Sequence, residues 1–560
     1  MLKSKQLLLL MALMACWFGP RWASSQSTSE AELPLPDPAD CPPQPKIIGT
    51  ISIIRDDIFD TTRKEYSGFP FPLLNKLHLK SKQHVIKREL LFRTGEVYDR
   101  RLIEETERNL RALPYLGDVS ISGQHTTGDT VNLIVRTSEQ WTTVIGTKYV
   151  IESDVPNYGI RLEEHNFGGY GQQVRISYAM IDGREQREFH LAENRLANTR
   201  LQLRYDYKLY EYGTFQGAMF GRPFFSERSK WAFQIAGDQY TGQRFQYENS
   251  HIVSSIYSHD LILKSHLSRL LDAKGHSRLS IIYFSEKFDS AADCYPLSEF
   301  TYQIFRAQIG FAYDVIKLNY LYERYLDNFG RIEDVPLGWG SNLFLGYGPE
   351  CIGNGASFGY FSAALTNSRF AFKKFYIFMR ISGSTYFQRS AIDESVVLYE
   401  MKSYFRPRKS LTTVFRFEST MGWRTPENLQ LFIDEKRGIR GYPSRFLQGQ
   451  KRMICNLEQR FYPGLNLYSF GIGGAVFADV GGILERNQPV SAMKPLSSLG
   501  FGLRIGNTKA YGSIVHRIDF SFPLNGGFKV MISLGKGHYF SAFNQIRWIS
   551  AYPSRFGEYE

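Results

Sequence analysis

The chain has 560 residues, a formal net charge of +12, and an aromatic content of 15% that includes 34 tyrosines and 42 phenylalanines. Mean hydropathy is -0.29, and beyond residue 18 there is no run of about 18 or more apolar residues, which excludes a bundle of membrane-spanning helices. The basic balance suits an anionic partner, yet no nucleic-acid motif is present. With an export signal in front, anionic lipid or lipopolysaccharide is the expected partner rather than nucleic acid, and a plainly solvated basic surface is the alternative.

Lys3 and Lys5 precede an apolar run at 7–18, too short to cross a bilayer as a helix, and Ala23-Ser24-Ser25 offers small residues for cleavage. Residues 1–25 therefore read as a signal peptide. Cleavage after Ser25 removes Lys3, Lys5 and Arg21 and no acid, so the charge falls from +12 to +9. Leu13-Met14-Ala15-Cys16 also forms a lipoprotein-type cleavage box that would leave Cys16 lipidated, whereas Trp17-Phe18-Gly19-Pro20 reads as the end of an ordinary apolar core. Residues 26–45, with Pro34, Pro36, Pro38, Pro42, Pro43 and Pro45, are a Pro/Ser-rich linker with little to pack.

Residues 46–138 read as a small α+β domain. Strands are expected at 47–54, 119–121 and 131–135, and helices at 82–92 and 99–113, the latter with Leu102, Ile103, Leu110 and Leu113 on one side and Asp99 as N-cap. From 139 to 540 the pattern is alternation. Leu201, Leu203, Tyr205, Tyr207 and Leu209 alternate with Gln202, Arg204, Asp206 and Lys208, and Asp182-Gly183 and Asn525-Gly526-Gly527 mark tight turns. A soluble β-sandwich shows the same period. Some 400 residues without a helical interruption favour a membrane barrel instead, because in hydrocarbon every backbone amide needs a partner and the sheet must close. Strands of ~10 residues plus loops give on the order of 16 antiparallel strands.

Within this region, Arg437-Gly438-Ile439-Arg440-Gly441-Tyr442-Pro443 can fold back sharply: glycines flank Ile439-Arg440 and proline fixes the exit. The tip is a single guanidinium. In the following strands Cys455, Leu457 and Phe461 alternate with Asn456, Glu458 and Arg460, and Val476, Ala478 and Val480 alternate with Ala475, Phe477 and Asp479. Glu458 and Asp479 thus share the polar face. Ile439-Arg440-Gly441-Tyr442, Asn456-Leu457-Glu458-Gln459-Arg460-Phe461 and Phe477-Ala478-Asp479-Val480-Gly481, in that order, resemble the motif set of the BamA/TamA superfamily, outer-membrane barrels that insert or export other proteins. The resemblance implies sixteen strands, an inward-folded loop anchored by Arg440 with Gly441 and Tyr442, and acid partners Glu458 and Asp479 on the wall beside Phe477 and Gly481. Guanidinium fits because it meets carboxylates in bidentate fashion. The segment Asp434-Glu435-Lys436 departs from the glycine pair common in relatives.

The run from Leu90 to Asp99, continuing through Glu104-Glu105-Thr106-Glu107-Arg108-Asn109-Leu110-Arg111 and Tyr115-Leu116-Gly117-Asp118-Val119, is similar to a POTRA domain. POTRA domains precede the barrel in the same superfamily and add a client strand to their sheet edge. One copy is present, against the several of BamA. What the resemblance implies is a barrel in the bacterial outer membrane with its N-terminal domain in the periplasm. Its implied partners are unfolded outer-membrane proteins at the POTRA edge strand, outer-membrane lipid and lipopolysaccharide, and accessory assembly proteins.

No enzyme chemistry is expected. The eleven histidines are scattered, no nucleophile elbow, zinc-protease or P-loop motif occurs, and no cofactor or metal is expected. Cys294 and Cys351 sit in loop-like sequence and are candidates for a disulfide, while Cys455 reads as packing. The barrel is expected to pair a first strand near 141–150 with a last near 528–535, ending on the aromatic Phe540, with 541–560 a C-terminal tail. Three functions remain open: an assembly or insertion factor whose first/last strand seam is a lateral gate, a two-partner-type secretion pore, and a passive channel or adhesin.

Overall fold

The computed structural model describes residues 46–125, 129–152, 155–181, 183–292, 302–372, 374–388, 391–425, 430–485, 487–510, 515–527 and 530–542. The signal, the linker, Cys16, Cys294 and the tail past 542 lie outside these residues.

The first domain is built from β1 (Ile47–Asp56), α1 (Phe71–Leu77), α2 (Gln83–Lys87), α3 (Arg100–Arg111), β2 (Leu116–His125) and β3 (Thr130–Glu139). β3 is central, parallel to β1 and antiparallel to β2. Asp99 starts α3 by accepting from the N–H groups of Arg101 at 2.9 Å and Leu102 at 3.4 Å. Arg108 and Arg111 in its last turn complement the helix dipole. Ile103 and Leu110 then meet Val85, Ile86, Leu133 and Val135 in the core. The helix expected over 82–92 stops at Lys87 with Arg88 as its C-cap, and Glu89 just beyond it pairs with Arg195 and Arg200 of the second domain.

The second domain begins with β4 (Thr143–Glu152), β5 (Val155–Phe167), β6 (Gln172–Ile181), β7 (Arg184–Glu193), β8 (Gln202–Tyr210) and β9 (Gly213–Arg222). It continues through β10 (Trp231–Glu248), β11 (His251–Leu270), β12 (Ser277–Ala292), β13 (Tyr302–Glu323), β14 (Glu333–Gly348), β15 (Phe358–Phe372), β16 (Phe375–Gln388), β17 (Ala391–Arg408) and β18 (Leu411–Trp423). A small hairpin, β19 (Leu431–Ile433) and β20 (Leu447–Gly449), stands apart, and β21 (Lys451–Leu467), β22 (Phe470–Leu484), β23 (Leu496–Asn507), β24 (Val515–Pro523) and β25 (Met531–Lys536) complete the wall. β18 pairs directly with β21, and β25 returns beside β4 to close the barrel.

Among the described residues the closed sheet has twenty strands, not about sixteen. The expectation allotted too much chain to connections: β4 and β6 to β9 are only 9 or 10 residues long, and β8 is joined to β9, and β10 to β11, through residue pairs 211–212 and 249–250. Alternation then sorts the side chains. On β21 Asn456, Glu458 and Arg460 are buried in the lumen while Leu457 and Phe461 are exposed outside, and on β5 Ile160 and Leu162 face out. Outward rows of this kind define a transmembrane barrel, not a sandwich. The wall is uneven in height: β10 to β14 run 16 to 22 residues, well beyond the ~10 that span a bilayer.

The first domain sits on the barrel's near end, where β4 begins. α3 lies along the β9–β10 connection, where Glu105 accepts from the Glu227 N–H at 2.7 Å and the Ser226 hydroxyl at 3.1 Å and Asn109 donates to the Phe225 carbonyl at 3.0 Å, and its end reaches β14, where Arg111 pairs with Asp334 at 2.7 Å. Burial pushes the Glu105 carboxyl above its usual value of 4.5. A carboxyl raised by burial contributes most to the docked state below its unbound value, and that contribution is lost as pH rises through the raised one. Amide protection of α3, corrected for intrinsic exchange, is therefore expected to fall as pH rises from 4.5 through the raised value and to be flat in Glu105→Gln. Parallel profiles in the two proteins would contradict this.

Candidate functional site

The loop between β18 and β21 emerges at the far end of the barrel and folds back into it. Asp434 organises its turn: the carboxylate accepts from the backbone N–H of Lys436 at 2.9 Å, of Arg437 at 2.8 Å and of Arg445 at 2.8 Å, and from the Arg437 guanidinium at 2.8 Å. Glu435 closes it, its N–H donating to the Tyr442 carbonyl at 3.0 Å and its carboxylate accepting from the Gly441 N–H. The charged Asp434-Glu435 pair thus supplies the turn's acceptors. Gly438 at φ 126° and Gly441 at φ 91° occupy backbone regions that a side chain would strain.

This turn delivers Arg440 to the lumen with no residual exposure. Its Nε and Nη2 donate to the two oxygens of Asp479 at 2.7 and 2.9 Å, and Nη1 donates to Glu458 at 2.7 Å. The Arg440 backbone N–H adds a 3.2 Å bond to Asp479. Both faces of the guanidinium are covered, by the Phe477 ring at 3.5 Å and the Tyr539 ring at 4.3 Å. A planar cation satisfies edge and faces together; a lysine does not. Gly481, next along the same lumen row, leaves room for the loop, since a Cβ there would stand 3.0 Å from Ile439 Cδ1. Tyr442 is buried and anchors the loop's other side, its hydroxyl lying 2.6 Å from Asn525 Oδ1 and donating to the Ser497 carbonyl at 2.8 Å.

Further residues complete the cluster, Asn456 and Arg460 from the second motif and others from outside all three. Asp519 on β24 is a third acid, 3.8 Å from Arg440 Nη1, held by Arg504 at 2.5 Å and Arg517 at 3.3 Å. Arg460 braces Glu458 at 2.8 Å and donates to Asp327 at 2.8 Å, while Asn456 joins the Gly438 carbonyl to Asp479 at 2.7 and 2.8 Å. The only sequence signal for Asp519 is its place on the polar face of an alternating strand, shared by many lumen residues.

The chain after β25 joins the same cluster. Residues 537–542 turn into the near end of the lumen, where Arg460 donates to the Phe540 carbonyl at 2.6 Å and Tyr462 meets His538 at 3.0 Å. Phe540 is therefore not the exposed terminal aromatic of the last strand. It is buried against Leu326, Val335, Tyr376 and Tyr404, because β25 ends at Lys536 and Gly537, at φ 78°, reverses the chain. Among the described residues Cys351 is an exposed free thiol and Cys455 a half-buried one, while Cys294, the candidate partner of Cys351, lies outside the described residues.

Residues 78–140 match the family described as POTRA, surface antigen variable number repeat. No curated protein matches the chain. Among solved structures, CdiB from Acinetobacter baumannii has 11% identity and a TM-score of 0.44, covering 88% of this chain and 74% of that one. CdiB from Escherichia coli has 10% identity and a TM-score of 0.43, covering 87% and 75%. BamA from Haemophilus ducreyi lacking POTRA domains 1-3 has 12% identity and a TM-score of 0.34, covering 87% and 84%.

A three-stranded α+β domain, of which residues 78–140 match POTRA, is docked on the near end of a closed transmembrane sheet that has an arginine loop returned into its lumen.

Removing the guanidinium leaves three buried acids short of a partner. Arg440→Ala is expected to lower unfolding free energy by ~3–5 kcal/mol in detergent and to expose 434–446 to protease, with Arg440→Lys recovering only part. Tyr442→Phe should cost about 1 kcal/mol, the worth of its hydrogen bonds. Unaltered denaturation midpoints in the Arg440 variants would contradict the lock.

Proposed function

We propose that the protein assembles or inserts other proteins in the bacterial outer membrane, with the barrel in that membrane and the POTRA domain in the periplasm. Its work is mechanical: it binds and templates strands and makes no covalent change.

The observation that carries this reading is a contrast between two exits. The route through the lumen is crossed by the Arg440, Arg460 and Arg504 cluster, by Tyr462 and by Phe540, all buried. A chain threading that way has to dismantle paired charges in a dry interior, each strongly destabilising to expose singly. The lateral route is weaker. β25 offers six residues to β4, whereas β10 and β11 pair along 18. Backbone hydrogen bonds at a short seam are exchanged for those of an incoming strand at little net cost. Clients would arrive along β2, whose described pairing is to β3 on one side, leaving an edge for strand addition. Outer-membrane lipid and lipopolysaccharide surround the wall, and accessory assembly proteins would join at the periplasmic face.

A disulfide across the seam tests the reading. Cysteines scanned between β4 and β25 are oxidised in cells depleted of the wild-type protein, and the outer-membrane protein inventory is measured. Broad loss reversed by reductant is expected of an insertion factor. Loss of a single exported protein points to a dedicated secretion pore, and an unchanged inventory to a passive barrel.

A further inference from the structure

The stretch between β1 and α2 lies mostly outside the residues that match POTRA, which begin at 78. It has a core of its own, in which Ile58, Phe59, Tyr66 and Phe71 are buried together with Leu74 and Trp141 packed against them. Asn75 ties α1 to that core, donating to the Phe59 carbonyl at 2.7 Å and accepting from the Phe59 N–H at 3.1 Å.

The segment is held to the near-end rim on both sides of the seam. Toward the last strands, Phe71 meets Tyr468 of the β21–β22 turn with ring centroids 5.4 Å apart, and the Trp141 N–H donates to the Lys509 carbonyl at 2.8 Å. Toward the first strands, the Lys82 N–H donates to the Gly169 carbonyl at 3.0 Å and its ammonium sits 3.5 Å over the Tyr170 ring. These turns bear the outermost apolar residues of the wall, with Leu467 and Phe470 exposed beside Tyr468 and Phe167 beside Tyr170.

A segment clasped to that rim carries an apolar surface that nothing described covers. Phe69 is 85% exposed, Leu73 46%, Leu77 63% and Leu79 66%. Leu73 and Leu77, four apart, share one face of α1. Lys64 and Lys76 are exposed on the same segment. Four large apolar side chains exposed within eleven residues, with lysines on the same segment, are costly in water and suit the headgroup boundary of a bilayer, where apolar side chains enter and ammonium groups stay with phosphates.

We propose that residues 69–79 form a membrane foot, seating the N-terminal domain on the leaflet at the near end directly below the β25–β4 seam. Continuity with the lipid-facing wall on either side selects lipid as the occupant. The inference needs a bilayer around the barrel and is independent of whether clients are inserted.

The full-length protein, with its native cysteines replaced by alanine, is reconstituted in phosphatidylethanolamine–phosphatidylglycerol vesicles and spin-labelled at Leu77→Cys or, as a second position, Phe69→Cys. Leu457→Cys on the outer wall supplies the lipid reference and Arg101→Cys the water reference, and heat-modifiable migration selects folded barrels. Oxygen collisions severalfold above nickel-chelate collisions, approaching the Leu457 profile, are expected at both foot positions. An aqueous profile like that of Arg101 would overturn the proposal. Exclusion of both reagents would also overturn it, assigning the surface to a protein partner or a second copy.

Discussion

A single guanidinium surrounded by carboxylates in a space without bulk water is the constraint on which the barrel's interior depends. Glu458 and Asp479 project from β21 and β22 into the lumen because the strand period puts them there, and Asp519 follows on β24. Acids gathered this closely are tolerable only with cations among them. Among the described residues of the cluster, Arg460, Arg504 and Arg517 come from the wall and Arg440 from the loop, so the loop bearing it has to enter. The Asp434 turn, the left-handed glycines and the stacked rings of Phe477 and Tyr539 are what that entry requires.

The loop also spans the far mouth. Gln430 exchanges hydrogen bonds with the Tyr247 backbone at 3.0 and 3.2 Å, and the Arg445 guanidinium lies 3.9 Å over the Tyr247 ring. The tall hairpin β10–β11 is thereby joined to the wall opposite. At the near end the POTRA domain makes the complementary connection, with Glu89 on Arg195 and Arg200 and α3 on the β9–β10 connection. Both mouths are spanned and the middle is filled, and β25, the shortest strand of the described wall at six residues, is the one that meets β4 at the seam.

How much of this was legible depends on the range of the interaction that decides it. The strands follow from alternation, a local signal, the barrel from the uninterrupted length of the alternating region, and α3 with its Asp99 cap from spacing within one helix. Arg440 with Glu458 and Asp479 was legible because a turn and two successive strands carry them. Asp519 and Arg504 were not, since β24 and β23 follow β22 in order but no motif sets these two apart from other lumen residues, and Tyr539 was not, because the reversal at Gly537 is what turns it into the lumen. The strand number failed for a related reason: periodicity marks where strands run but not how little chain joins them. Phe540 misled because an aromatic close to a chain's last strand looks alike whether it ends the strand or turns into the lumen.

A double-mutant cycle between Arg440 and Asp479, using Arg440→Ala, Asp479→Ala and the pair in reversible unfolding of the full-length protein, tests the central claim most directly. The geometry predicts strong coupling, ~2–3 kcal/mol, with the double variant less damaged than the sum of the singles. Additive losses, with coupling near zero, would contradict it and leave the loop held by its packing alone.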